Sequence, residues 1–385
     1  MALTKCAVVA ALGLFVSSAA LATDGVTPSK VTFGQVAAFE GPAAALGTSL
    51  RDGLHAAFEE ANAAGGIHGR QIALRTADDG YEPGKSADAV KAMIGSGSVF
   101  ALIGAVGTPT SKATQPLATE AGVPFIGPFT GASFLRDAEH GNVVNIRATY
   151  AAETEAWIAH LVDDLKLDEI AILYQDDAFG RVGLAGVTAA LEKRGMNLAV
   201  EGTYTRNTVA VKSALLKIRK AKPDAVVMVG AYKPVAEFIK LSRKLDFDPV
   251  FVNISFVGSK ALANELGAEG EGVIVSQVVP FPWNDRLQIV AEYQAALAQH
   301  VPDAEVGFVS LEGYITGRIA LAALDAASAD VTREGFLDAV WSMRDAELGG
   351  LSVQFSPTDN QAFDYVFLTE IDAQGDFVPV KTPGS

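Results

Sequence analysis

The sequence predicts an α/β protein of two doubly wound, parallel-sheet lobes. Three observations predict it. From Val31 onward, short β-rich runs alternate with amphipathic stretches, the pattern of helices laid on both faces of parallel sheets. That beat yields about eleven strands, more than one twisted sheet carries comfortably. A chain of 385 residues, 49% hydrophobic and 19% charged, is also long enough for two ordinary domains. The rival architecture, a single β/α barrel, fits residues 351–380 poorly, because that segment turns to strands without intervening helices.

The elements follow in order. Residues 31–37 read as the first strand. Leu46, Leu50, Leu54 and Phe58 then recur at helical spacing, and Gly65 with Gly66 stops that helix. A strand over 71–76 precedes a helix over 85–94, a strand over 100–105 precedes a helix over 111–121, and 123–126 is the next strand. In the second half the predicted strands are 169–174, 198–204, 225–229, 250–253 and 273–278. The predicted helices there are 153–165, 182–193, 209–220, 234–245 and 287–299. Neither an internal repeat nor a low-complexity segment is evident.

Residues 1–22 read as a secretory signal. Lys5 is the only charge before Asp24, an apolar stretch runs from Ala7 to Val16, and Ala20-Leu21-Ala22 offers a small-residue cleavage site. The apolar run is shorter than the roughly 20 residues a membrane span needs. The single cysteine, Cys6, lies inside this segment, so the remainder has no disulfide and no thiolate chemistry. The net charge of −15 argues against nucleic acid, whose binding requires phosphate neutralisation.

In open parallel sheets, ligands gather beyond the carboxyl ends of the strands. The loops at those places carry one kind of chemistry. Thr108 stands at a helix start before Pro109, where free amides and a partial positive charge suit a carboxylate. Its plainer reading is a helix N-cap. The stretch VPFIGPFTGASFLR, from Val123 to Arg136, adds Thr130 and the amide of Gly131 but no carboxylate, histidine or cysteine. Phe179 and Tyr232 supply rings to close over an apolar ligand body, or else simply pack in the core.

Enzyme signals are weak. The five histidines lack metal-ligand spacing, and no nucleophile elbow, P-loop or dinucleotide fingerprint occurs in the right context. Asp176-Asp177 at a strand end is open to two readings, an acid–base or metal pair and a solvated turn that starts a helix.

At these loops the chain resembles the exported leucine/isoleucine/valine-binding proteins of ABC importers. The matching segments are GPAAALGTSLRDGLHAAFEEANAAGGIHGR, DDGYEPGKSADAVKAMI, ALIGAVGTPTSKATQPLATEAGVPFIGP and ILYQDDAFGRVG, and the likeness covers nearly all of the chain after residue 22. The resemblance implies a type I periplasmic binding fold: two lobes joined by a three-crossover hinge that close on a small ligand. It implies lobe 1 at 23–146 plus about 279–357 and lobe 2 at 147–278 plus about 358–385, with crossovers near 145–148, 276–280 and within 353–363.

Residue by residue, the family's carboxylate-binding serine falls on Thr108 and its second hydroxyl loop on Phe129, Thr130 and Gly131. Its two second-lobe tyrosines fall on Phe179 and Tyr232, and a first-lobe aromatic on Phe308. The acidic residue that holds a ligand ammonium falls on Ser255, a tryptophan on Leu46, and the disulfide positions on Tyr81 and Gly107. A buried ammonium without an anion is costly. Asp176, Asp177 or Glu312 must then supply the charge, or the ligand has no ammonium.

The expectation is a periplasmic, monomeric, substrate-binding component that performs no covalent chemistry and needs no cofactor or metal. It captures a small carboxylate, a branched-chain or other apolar amino acid, and delivers it to a permease in the inner membrane. The alternatives are a binder of an aromatic acid or amide, a sensory binding protein, and an exported hydrolase.

Overall fold

A computed structural model describes residues 23–137 and 139–380; the predicted signal, residues 1–22, lies outside the described residues. The first sheet holds β1 (Val26–Thr27), β2 (Lys30–Ala37), β3 (Gln71–Asp78), β4 (Ala101–Ile103), β5 (Phe125–Ile126) and β6 (Val143–Val144). Helices α1 (Ala44–Ala63), α2 (Pro83–Gly95) and α3 (Thr108–Glu120) connect them. From β2 to β6 all pairings are parallel, in the order β3-β2-β4-β5-β6, with β1 antiparallel on β2.

The second sheet repeats this plan with β7 (Ile170–Gln175), β8 (Val200–Tyr204), β9 (Ala225–Val229), β10 (Val250–Asn253) and β11 (Ile274–Gln277). Its helices are α4 (Tyr150–Ile158), α5 (Ala178–Glu192), α6 (Lys212–Ala221), α7 (Tyr232–Lys244) and α8 (Ser259–Leu266). β7 and β9 are buried along their whole length, so they read as continuous apolar runs rather than as alternation.

The chain then returns to the first sheet with α9 (Gln288–His300), α10 (Phe308–Ala326) and α11 (Arg333–Trp341). After the hairpin of β12 (Ala346–Leu348) and β13 (Leu351–Val353), it adds antiparallel β14 (Phe367–Ile371) and β15 (Phe377–Pro379) to the edge at β11. Two of its passages between the sheets run side by side. The Asn145 amide donates to the Asn360 carbonyl at 2.7 Å, and the amides of Ala362 and Phe363 donate back to Asn145 and Ile146. No helix among the described residues is long and apolar enough to cross a membrane.

The α/β expectation stands as two parallel doubly wound sheets. Helices α8, α11 and α10 are not among the predicted elements, and the longest of them is α10. It is buried around nearly its whole circumference, so it has no polar stripe to betray a 3.6-residue period. Helix α5 begins at Ala178, earlier than residue 182, because the Asp177 side chain caps it by accepting from the Phe179 amide at 2.9 Å.

Candidate functional site

Both sheets reverse their winding at one point, between β2 and β4 in the first and between β7 and β9 in the second. Chains leaving those strands supply Thr108, Phe179 and Tyr232; those leaving β5 and β10 supply Phe129–Gly131 and Ser255. Crevices at such switch points are where open α/β sheets bind ligands.

Thr108 is the first residue of α3, and the N-cap is Gly107 with φ +101° and no side-chain cap. The Thr108 hydroxyl is therefore not spent as a cap. It lies 2.7 Å from the Thr130 hydroxyl, and both residues are buried. The first turn of α3 adds amides without intrahelical partners. Hydroxyls and helix amides converge here into a candidate cradle whose chemistry suits an anion.

Tyr150, the first residue of α4, packs on the same loop. A Cβ on Gly131 would lie 2.7 Å from the Tyr150 ring, so only glycine admits this approach. The Tyr150 hydroxyl is buried and without a hydrogen-bond partner. Burial pushes its pKa up to about 12, against the pull of Arg147 and of Thr130 beside it.

Of the charges behind the cradle, Glu312 was named above as a candidate partner for a ligand ammonium, whereas Arg147 and Glu153 were not. Arg147 is buried in the crossover after β6. It donates to both carboxylate oxygens of Glu312, at 2.8 and 2.7 Å, and to the Ser255 hydroxyl at 3.0 Å, and its guanidinium lies 4.0 Å from the Phe129 ring centre. Burial works against its charge, yet Glu312 holds its pKa above the ordinary value. Glu153 accepts from the Ser255 amide and hydroxyl, each at 2.9 Å, and from the Ser276 hydroxyl. Burial raises the Glu153 pKa, and Arg147 and those donors offset part of the rise. A lone arginine in the apolar run VVNIRATY was the available signal for this network.

Phe256 fills the space between the lobes. Its ring centre is 4.5 Å from Phe179, 5.4 Å from Phe129 and 5.9 Å from Tyr81. Tyr81 leans on Gly107, where a Cβ would come within 2.2 Å of its ring, so the two positions matched to a disulfide are neighbours here. Tyr232 stands apart from these rings in its polar contact, its hydroxyl accepting from the Ala45 amide at 3.3 Å. Phe308 is not brought to the cradle. It packs one turn from Glu312 among Phe281, Trp283, Phe367 and Phe377. Asp176 pairs with exposed Arg181 and Asp177 with Arg206, which also reaches Glu82, so neither acid faces the cradle. Among the described residues no cluster of metal-ligating side chains occurs.

Asp79 fixes the Tyr81 turn, accepting from the Tyr81 amide and the Ser86 hydroxyl at 2.7 Å each. Burial raises its pKa to about 6. The native state thus holds this proton more tightly than the unfolded chain, so the contribution to stability is full below about pH 4 and is lost as pH rises through about 6. Urea unfolding of Asp79→Asn against wild type at pH 4 and pH 7 is expected to show the variant gaining, relative to wild type, by up to about 3 kcal/mol at the higher pH. An unchanged difference between the two pH values contradicts this.

Two parallel α/β sheets thus flank a buried pair of hydroxyls, with rings supplied from both sides. The sequence profile of the periplasmic binding protein family matches residues 30–376, and the chain belongs to that family. It is similar to the crystal structure of a possible leucine/isoleucine/valine-binding protein from Rhodopirellula baltica. That likeness has 35% identity and a TM-score of 0.87, over 94% of this chain and 98% of the other. A substrate-binding periplasmic protein from Ralstonia solanacearum matches at 26% identity and a TM-score of 0.86, over 91% and 99%. A Leu/Ile/Val-binding protein of Rhizobium johnstonii is 28% identical over 64% of this chain, and the match spans 65% of that relative's length. These relatives are binding proteins rather than enzymes.

Proposed function

We propose that the protein is the periplasmic ligand-capturing component of an ABC importer, and that its ligand is a small apolar or aromatic carboxylate without an ammonium group. The lobes, 23–146 with about 279–357 and 147–278 with about 358–385, close on the ligand because it binds the closed form better than the open one. The closed complex then docks on the inner-membrane permease. The observation that carries the ligand class is the charge balance. Thr108 and Thr130 offer donors to an anion, Ser255 offers no charge, and both nearby acids are already engaged, Glu312 by Arg147 and Glu153 by three donors. An α-ammonium would find no free carboxylate there.

A branched-chain or other apolar amino acid is the second reading, favoured by the names of the relatives above. A thermal-shift comparison of leucine with 4-methylpentanoate and benzoate separates the two. Stabilisation by the acids and not by leucine is expected; a ligand at 100 times its Kd adds about 2.7 kcal/mol. Stabilisation by leucine alone restores the amino-acid reading. Thr108→Val is expected to weaken carboxylate binding about tenfold or more, the loss of a charge-assisted hydrogen bond. Undiminished binding refutes the cradle.

A further inference from the structure

We propose that the ligand of this chain lies on the α3–α5 side of Phe256, with its carboxylate at Thr108, Gly131 and the Tyr150 hydroxyl and an elongated apolar body along α5. The inference rests on the carboxylate reading above and adds the place and length of the ligand. Phe256 is fully buried against the rings of Tyr81, Phe129 and Phe179, and Ser255 beside it is buried too. A cleft of about 620 Å³, lined by neither Phe256 nor Ser255, is open between α3 and α5, within the range that small-molecule sites occupy.

Thr108 and Gly131 form one end of that cleft, and Val182, Ala185 and Ala189 continue one face of α5 away from them. From Ala178 to Ala189 this face runs about 16 Å. Phe134 covers it from the first lobe, and Lys112 stands near the Thr108 end, one turn along α3. Behind the Thr108 and Gly131 lining, the Tyr150 hydroxyl is buried near Thr130 and makes no hydrogen bond of ordinary geometry, a state in which such groups are rarely left. Any small carboxylate can reach that hydroxyl, but only a linear fatty-acid-like one also covers the α5 face.

The test is calorimetric titration of wild type, Tyr150→Phe, Ala185→Trp and Thr108→Val with octanoate, butanoate and 4-methylpentanoate. Wild type is expected to bind octanoate about tenfold or more tightly than butanoate. Ala185 is exposed, so tryptophan there folds while blocking the cleft; it is expected to weaken octanoate at least about tenfold and leave butanoate within about twofold. Tyr150→Phe is expected to weaken both acids about tenfold. Unchanged octanoate affinity in Ala185→Trp, or failure of wild type to bind octanoate while it binds 4-methylpentanoate, overturns the α5 placement and leaves the carboxylate reading standing. Failure of all three acids to bind wild type overturns both.

Discussion

Gly313→Val is expected to cost about 4 kcal/mol or more and to leave little folded protein. Gly313 on α10 faces α1 so closely that a Cβ would sit 2.2 Å from the Leu50 carbonyl oxygen. On the facing helix a Cβ at Gly53 would sit 1.9 Å from the Ser310 carbonyl oxygen. Backbone atoms do not swing aside as a side-chain end does, so the helices must part. Parting them uncovers Leu50, Leu54, Leu311 and Tyr314, all fully buried. Gly313→Ala should act in the same direction at about 1–3 kcal/mol. Urea unfolding followed by circular dichroism measures both, and an alanine variant with the wild-type midpoint contradicts the argument. The damage would reach the site, because Glu312 is the adjacent residue and its position follows from how α10 seats on α1.

The sheets were legible in the sequence because parallel strands buried on both faces leave unbroken apolar runs, as in Ala225–Val229. Their loops were legible because glycine, proline and threonine at strand ends mark helix starts. What the sequence hid was burial without periodicity. Helix α10, apolar all round, looks like no amphipathic helix, and the two glycines that seat it against α1 look like breakers. The hydroxyl pair of Thr108 and Thr130 could be anticipated from two adjacent loops. The Arg147, Glu312 and Glu153 network could not, because it joins residues 102 to 165 positions apart. Phe256 was hidden for another reason: next to Ser255 it reads as one more core ring, and only the fold puts it between the lobes.

Glu312→Gln is expected to destabilise the protein by about 3–5 kcal/mol, the cost of leaving a buried charge without its partner. Arg147 would keep its proton beside an uncharged amide. Arg136 stands close by, its pKa already lowered to about 9 by burial and by Arg147, and its donors go to the carbonyls of Thr130, Ala132 and Arg147 and to Gln361. Removing the carboxylate bonded to Arg147 leaves only the more distant Glu153 charge to offset two neighbouring cations behind the cradle. The double variant Arg147→Met/Glu312→Leu should recover most of the loss, because a well-packed apolar pair replaces a buried ion pair at little net cost. Urea unfolding of the three proteins tests this, and a single variant as stable as wild type sinks it. Stability alone is then a poor reason for the pair. Arg147 belongs to a crossover, Glu312 to the helix seated on α1, and Ser255 to the loop after β10. One guanidinium thus ties the passage between the lobes to a residue of each. The double variant should therefore fold yet lose the coupling, so that a carboxylate ligand produces a smaller compaction in solution scattering than it does in wild type.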